Sequence, residues 1–150
     1  MFATARRLEA MQDLESLPGV VLIQLDVTKE PSIRAAFSEV EARLNQENQN
    51  ATSPQGAVQK GLDILVNNAG IITILPFADT ATSVSQQIIE TNLIAPMTMT
   101  KVFLPLLMRS TDACIVCVGS IAGLLPTGAS GYNASKAGLR MWCDTVRMGM

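Results

Sequence analysis

Three features of the sequence predict an α/β fold, a parallel sheet covered by helices. Short apolar runs recur at residues 20–25, 62–66 and 113–118, as expected of strands buried on both faces. Stretches with the apolar spacing of helices separate these runs, so strand and helix alternate. Asp26, Asn67 and Ser120 each stand just past the carboxyl end of such a run. That places all three on one edge of one expected sheet, where parallel sheets bind ligands.

In chain order, residues 2–4 read as the tail of a strand. Residues 8–17 form a short amphipathic helix, stopped by Pro18-Gly19. The run 20–25 is interrupted only by Gln24 and is followed by a helix over 30–44. Pro31 sits in the first turn of that helix, and Ile33, Ala36, Phe37, Val40 and Leu44 share one stripe. Residues 45–61 are polar, rich in turn formers and without period, which predicts an exposed, mobile loop. A strand over 62–66 runs into Asn67-Asn68-Ala69-Gly70. A helix then starts near residue 83, with Val84, Ile88 and Ile89 on its apolar face, and continues past a bend at Pro96 to residue 107. A strand over 113–118 and a helix over 129–148 complete the series. No internal repeat is present.

Composition narrows the chemistry. At 150 residues the chain is expected to form a single domain. It is 48% apolar and 16% charged with a net charge of −2, a globular balance with neither a basic bias toward nucleic acid nor an acidic tail. There is no His, so the commonest general base and metal ligand is missing, and no metal site is expected. Three Cys make an odd count, which argues against a disulfide framework and for a reducing, cytoplasmic setting. Cys114 and Cys117 have redox spacing but lie in a β-branched run, so both are expected in the strand core. The N-terminus lacks the apolar segment of a signal peptide. The apolar run 93–108 is broken by Lys101 and two prolines, and it is short for a membrane span. The sequons at Asn50 and Asn133 carry no weight without a secretory signal.

Reactive side chains converge near the end of the chain. The strand over 113–118 delivers Ser120 to its end, and the following helix carries Tyr132 and Lys136 one turn apart on the same face. An ammonium beside a phenol stabilises the phenolate and lowers a pKa that starts near ~10. Such a phenol can exchange a proton with an alcohol or carbonyl near neutral pH.

With these pieces in order, the chain resembles the short-chain dehydrogenase/reductase family over nearly its whole length. The likeness rests on Ala-Arg-Arg after a strand, Leu-Asp-Val-Thr, Asp-Ile-Leu-Val-Asn-Asn-Ala-Gly, Thr-Asn-Leu, Gly-Ser and Tyr-x-x-x-Lys. The resemblance implies a Rossmann-like doubly wound sheet and oxidoreduction between a ketone and a secondary alcohol. It implies that Tyr132 is the acid/base and that Lys136 binds the nicotinamide ribose. Ser120 would orient the substrate oxygen, and Asn92 would hold a water in a relay to Lys136. Asn67, Ala69 and Gly70 would line the cofactor near its ribose, and Asp26 and Val27 would contact the adenine end. Arg6 and Arg7 stand where the family discriminates between cofactors, and a guanidinium there suits a 2′-phosphate, hence NADP(H) rather than NAD(H). Within the family the stretch is most similar to fungal reductases of lipid-like ketones, of the acyl-dihydroxyacetone-phosphate type. That likeness implies lipid metabolism and peripheral association with endoplasmic reticulum or lipid droplets. Homodimerisation through helices near 91–108 and 132–148 is also implied, with Met141, Trp142 and Met148 as packing residues.

The family's first strand and its Gly-x-x-x-Gly-x-Gly turn, which binds the pyrophosphate at a helix start, are expected ahead of Phe2, and a substrate-enclosing segment after Met150. Neither lies within these residues. A sheet without its central strand is expected to leave two edges about 9–10 Å apart. The segment alone is therefore expected to bind cofactor weakly and to turn over poorly. The alternative is a catalytically silent remnant that dimerises with a full-length relative.

Overall fold

The structure, a computed structural model, describes residues 1–50 and 60–149, and of 49 and 50 the backbone only. The single domain expected from length divides into two compact units, Met1–Leu65 with Lys101–Cys114, and Val66–Thr100 with Ile115–Met150. Both are α/β, with parallel strands as the sequence predicts.

The first unit begins with β1 (Phe2–Ala5), a 3-10 turn (Leu8–Met11), α1 (Gln12–Glu15) and β2 (Val21–Gln24). The helix expected over 8–17 is thus a tight turn followed by a single α turn. β1 and β2 pair in parallel, with Phe2 opposite Val21 and Ala5 opposite Gln24. α2 (Glu30–Asn50) buries Ile33, Ala36, Val40 and Leu44, the stripe read from the sequence. Phe37 meets Phe103 edge-on, ring centroids 5.6 Å apart. α2 also corrects the loop expected from residue 45, because the helix runs on through Asn50. Once a helix is nucleated each further residue adds a bond, and Gln and Glu are good helix formers without any apolar face. Lys60 secures this end: its N–H donates to Asn48 Oδ1 over 2.8 Å, and its ammonium pairs with Glu47. Residues 51–59 of the expected loop lie outside the described residues.

A second parallel pair joins β3 (Ile64–Asn67) to β4 (Cys114–Cys117): Cys114 N–H donates to Asp63 O and Val118 N–H to Asn67 O, so the strands advance together. The described strands make two two-stranded parallel sheets, the split expected of a sheet without its central strand. Nor are these strands buried on both faces. Leu65 and Asn67 are buried while Ile64 and Val66 are 57% and 56% exposed. The same alternation leaves Cys114 exposed and Cys117 half-buried, so Cys114 is not a core position.

In the second unit α3 (Thr82–Ile89), a π-helical stretch (Glu90–Ile94) and the start of α4 (Ala95–Leu107) form one irregular helix. The irregularity expected at Pro96 falls one turn earlier, where Ala95 N–H reaches back five residues to Glu90 O. Pro96 has no N–H to give the Asn92 carbonyl four residues before it, which favours such a wide turn. α5 (Ser130–Gly149) closes the unit, packed on the 3-10 turn Ile121–Gly123. Among the described residues no helix is long and apolar enough to cross a membrane.

Candidate active site

Asn92, 0% exposed, is aimed inward by the π-helical stretch. Its Oδ1 accepts from Ile71 N–H and its Nδ2 donates to Ile71 O, both over 2.8 Å, so the side chain grips one peptide unit as a β-strand neighbour would. The same Nδ2 donates to Ser135 Oγ at 3.1 Å, and Ser135 Oγ donates to Tyr132 O at 2.7 Å. Ser135 is also 0% exposed. This buried chain of bonds fixes the loop after β3 and the first turns of α5 to one another. Such a network is favourable only when each member is satisfied, as here. Both Nδ2 hydrogens of Asn92 are spent, while Oδ1 accepts one bond and keeps a second lone pair.

Tyr132 and Lys136 lie one helical turn apart, as the sequence predicts, with Lys136 Nζ 5.8 Å from the Tyr132 ring centroid. Lys136 is 5% exposed and its Nζ donates to Val118 O at the end of β4, 2.7 Å away. A Cβ added at Gly70 would come within 3.4 Å of Asn92 Oδ1 and 3.8 Å of Lys136 Nζ. Glycine there leaves open space in front of both polar groups. Ala69 and Gly70 are exposed.

Ser120 has extended backbone and caps the turn Ile121–Gly123, its Oγ accepting from Ala122 N–H at 3.1 Å. The cap uses an oxygen lone pair and leaves the hydroxyl proton to donate. Gly123 sits so tightly on α5 that a Cβ would stand 2.9 Å from Lys136 O, which presses the Ser120 turn onto the Lys136 segment. Asn67 Nδ2 donates to Thr100 Oγ1 at 3.2 Å and to Cys117 Sγ at 3.6 Å, so this buried amide braces the end of the strand. Cys143, beside Cys117, has its thiol pushed up to about 12 by burial and then by that neighbouring sulfur, so it is an inert thiol.

The first unit holds the residues implied for the adenine end. Asp26 Oδ1 accepts from Thr28 N–H at 3.0 Å and from Thr28 Oγ1 at 2.7 Å. These bonds hold its carboxyl below the ordinary 3.8, with the Thr28 hydroxyl the largest cause and Arg6 a smaller one. Val27 follows, half-buried. Arg6 and Arg7 are exposed just past β1, and neither joins an ion pair among the described residues.

Ser135, Asn133, Gly123 and Ile71 were not singled out for the site from sequence. Ile71 acts through its backbone, which no residue pattern announces. The polar pair flanking Ala134 inside an otherwise amphipathic helix was the available signal for Asn133 and Ser135.

The site thus joins a buried Asn–Ser network to a Tyr–Lys pair on one helix of a parallel α/β chain. The sequence profile of the family described as short chain dehydrogenase matches residues 2–150, and the chain belongs to that family. Among curated relatives, the short-chain dehydrogenase PC-15 of Penicillium crustosum is 38% identical over 149 residues, 99% of this chain and 49% of its own length. The short-chain dehydrogenase ptmH of Penicillium ochrochloron matches with the same identity and coverage. The chain thus spans about half the length of these relatives. Among solved structures, the NADPH-bound carbonyl reductase from chicken fatty liver superposes with a TM-score of 0.83 at 28% identity, covering 99% of this chain and 59% of its own.

Proposed function

We propose that this chain carries the proton-handling site of an NADP(H)-dependent oxidoreductase that interconverts a ketone and a secondary alcohol. The observation that carries the reading is Lys136, an ammonium buried beside the chain's only Tyr with no carboxylate partner among the described ion pairs. A buried charge left without a counter-charge is costly, and it belongs where a ligand will use it.

The residues present fit a phosphorylated nicotinamide dinucleotide. Lys136 gives one N–H to Val118 O and keeps two for ribose hydroxyls, across the space that Gly70 leaves open. The exposed Arg6 and Arg7 suit a 2′-phosphate. Both bonds accepted by Asp26 fall on Oδ1, which leaves Oδ2 for the amine of an adenine, with Val27 beside the base. The 28%-identical chicken reductase, described as NADPH-bound, supports the same choice. When bound, the nicotinamide supplies or accepts the hydride.

This chain's own residues handle the oxygen and the proton. Ser120 Oγ, its lone pair held by Ala122 N–H, donates to the substrate oxygen and orients it. The Tyr132 phenol delivers the proton to that oxygen in reduction and takes it back in oxidation. Lys136 places its positive charge beside the phenol. The Asn92 main-chain carbonyl, which Pro96 cannot cap, holds the relay water. Exposed apolar side chains at Ile71, Ile72, Leu124 and Leu125 support a lipid-like ketone, such as an acyl-dihydroxyacetone phosphate, as substrate. Met141 and Met148, exposed on α5, support a helix-mediated homodimer.

The test is reduction of a long-chain ketone with NADPH by the purified protein extended to include the glycine-rich turn and the substrate-enclosing segment expected of the family. Tyr132→Phe is expected to lower kcat about 10²–10⁴-fold with cofactor affinity unchanged. Arg6→Glu is expected to weaken NADPH at least about tenfold relative to NADH. Full-rate turnover by Tyr132→Phe overturns the assignment.

A further inference from the structure

Asn133 follows Tyr132 on α5, and all four hydrogen-bonding positions of its amide are used. Nδ2 donates to the carbonyls of Ala122 and Leu125, each over 2.7 Å. Oδ1 accepts from Thr127 Oγ1 at 2.8 Å and from Thr127 N–H at 3.3 Å. The remaining bonds within residues 120–125 are local: Ala122 N–H to Ser120 Oγ, Gly123 N–H to Ser120 O, and Leu124 and Leu125 N–H to Ile121 O. They shape the turn without attaching it to anything. Among the described residues, the side-chain hydrogen bonds that attach this loop to α5 come from the Asn133 amide, beside the packing of buried Ala122 and the close seat of Gly123 on Lys136.

We propose that Asn133 is the positioning residue of the active-site loop. Its amide staples residues 122–127 to α5 one residue beyond Tyr132. It thereby sets where the Ser120 hydroxyl stands relative to the phenol, and it holds the exposed Ile121, Leu124 and Leu125 side chains outward as an apolar substrate-side surface. The carbonyls turn in to Asn133 while the apolar side chains turn out, so one side chain fixes both the polar and the apolar parts of the loop. The catalytic part of this assignment rests on the function proposed above; the staple itself does not. The sequon at Asn133 has no part in this role, since both amide hydrogens are already donated to carbonyls.

Hydrogen exchange of the protein followed by mass spectrometry tests the staple without any need for activity. Asn133→Ala is expected to raise exchange across residues 121–127 at least about tenfold while α5 stays protected. Asn133→Asp keeps the acceptor toward Thr127 but sets a carboxylate oxygen against the Ala122 and Leu125 carbonyls, so its exchange should rise at least as far as that of Ala. This variant also serves if Ala does not fold. A second readout is the ketone assay, in which the Ala variant should lower kcat about tenfold with the KM for NADPH and the melting temperature held. Unchanged exchange in 121–127, in a folded Ala or Asp variant, overturns the proposal whatever the activity. An extended wild type, with the glycine-rich turn and substrate-enclosing segment, that reduces no ketone overturns the functional reading, and the exchange result still decides the role of Asn133.

Discussion

Asp26 shows how one side chain can serve local structure and still offer a ligand contact. Its Oδ1 closes a turn onto Thr28, and its backbone N–H donates to Ser32 Oγ at 3.0 Å at the start of α2. Because the folded carboxyl titrates below 3.8, it contributes stability that is present above the unfolded value and is lost as pH falls through the folded one. Asp26→Ala is therefore expected to lower the melting temperature at about pH 7, with the gap to wild type narrowing as pH falls below the ordinary carboxylate range. Thermal melts across that range check it, and a gap independent of pH would show that the turn does not depend on the charge. The sequence located Asp26 at a strand end but could not apportion its two oxygens. Asn67 posed the same problem, its two amide hydrogens going to Thr100 and Cys117. Position along a strand is legible in a sequence; the partner each polar atom takes depends on residues 33 or 50 positions away.

Elements with a clear apolar period were the easiest to foresee. The α2 stripe and the one-turn spacing of Tyr132 and Lys136 follow from helical geometry alone. The π-helical stretch was not foreseen, since it adds one residue to a turn without changing composition, and only the missing N–H of Pro96 hinted at it. The far end of α2 was missed because it has no apolar face to signal it. Two glycines at different contacts of α5 separate backbone from side-chain constraint. A Cβ at Gly123 would stand 2.9 Å from Lys136 O and 3.0 Å from Lys136 C, atoms that can move only if α5 moves. A Cβ at Gly138 would also meet an atom at 2.9 Å, but that atom is Leu93 Cδ2, the end of a rotatable side chain. Gly123→Ala is expected to destabilise by about 1–3 kcal/mol. Gly138→Ala should be near neutral, the roughly 1 kcal/mol gained by Ala in a helix interior offsetting the shift of Leu93. Chemical denaturation of the two variants gives the comparison, and equal losses would mean that both contacts yield in the same way.

Over the whole molecule, the strand pattern was read correctly in kind and wrongly in burial. Apolar runs without polar alternation predicted strands covered on both faces, yet β3 exposes Ile64 and Val66 and buries Leu65 between them. On β4, Val116 is 41% exposed. Sequence pattern reports what a strand could bury, while exposure depends on which elements lie against it, and among the described residues nothing covers this face of the β3–β4 pair. An uncovered apolar face of this kind binds hydrophobic dyes and tolerates polar isosteres. Val66→Thr with Val116→Thr keeps the β-branched shape that strands favour and removes methyl groups facing water, so the melting temperature should hold while dye fluorescence falls. Leu65→Ala, one residue away on the covered side, is expected to cost about 2–5 kcal/mol. If the double Val variant were the destabilised one, with dye binding raised, the open face would in fact be covered in solution. The alternation seen along β3 would then have to be reversed.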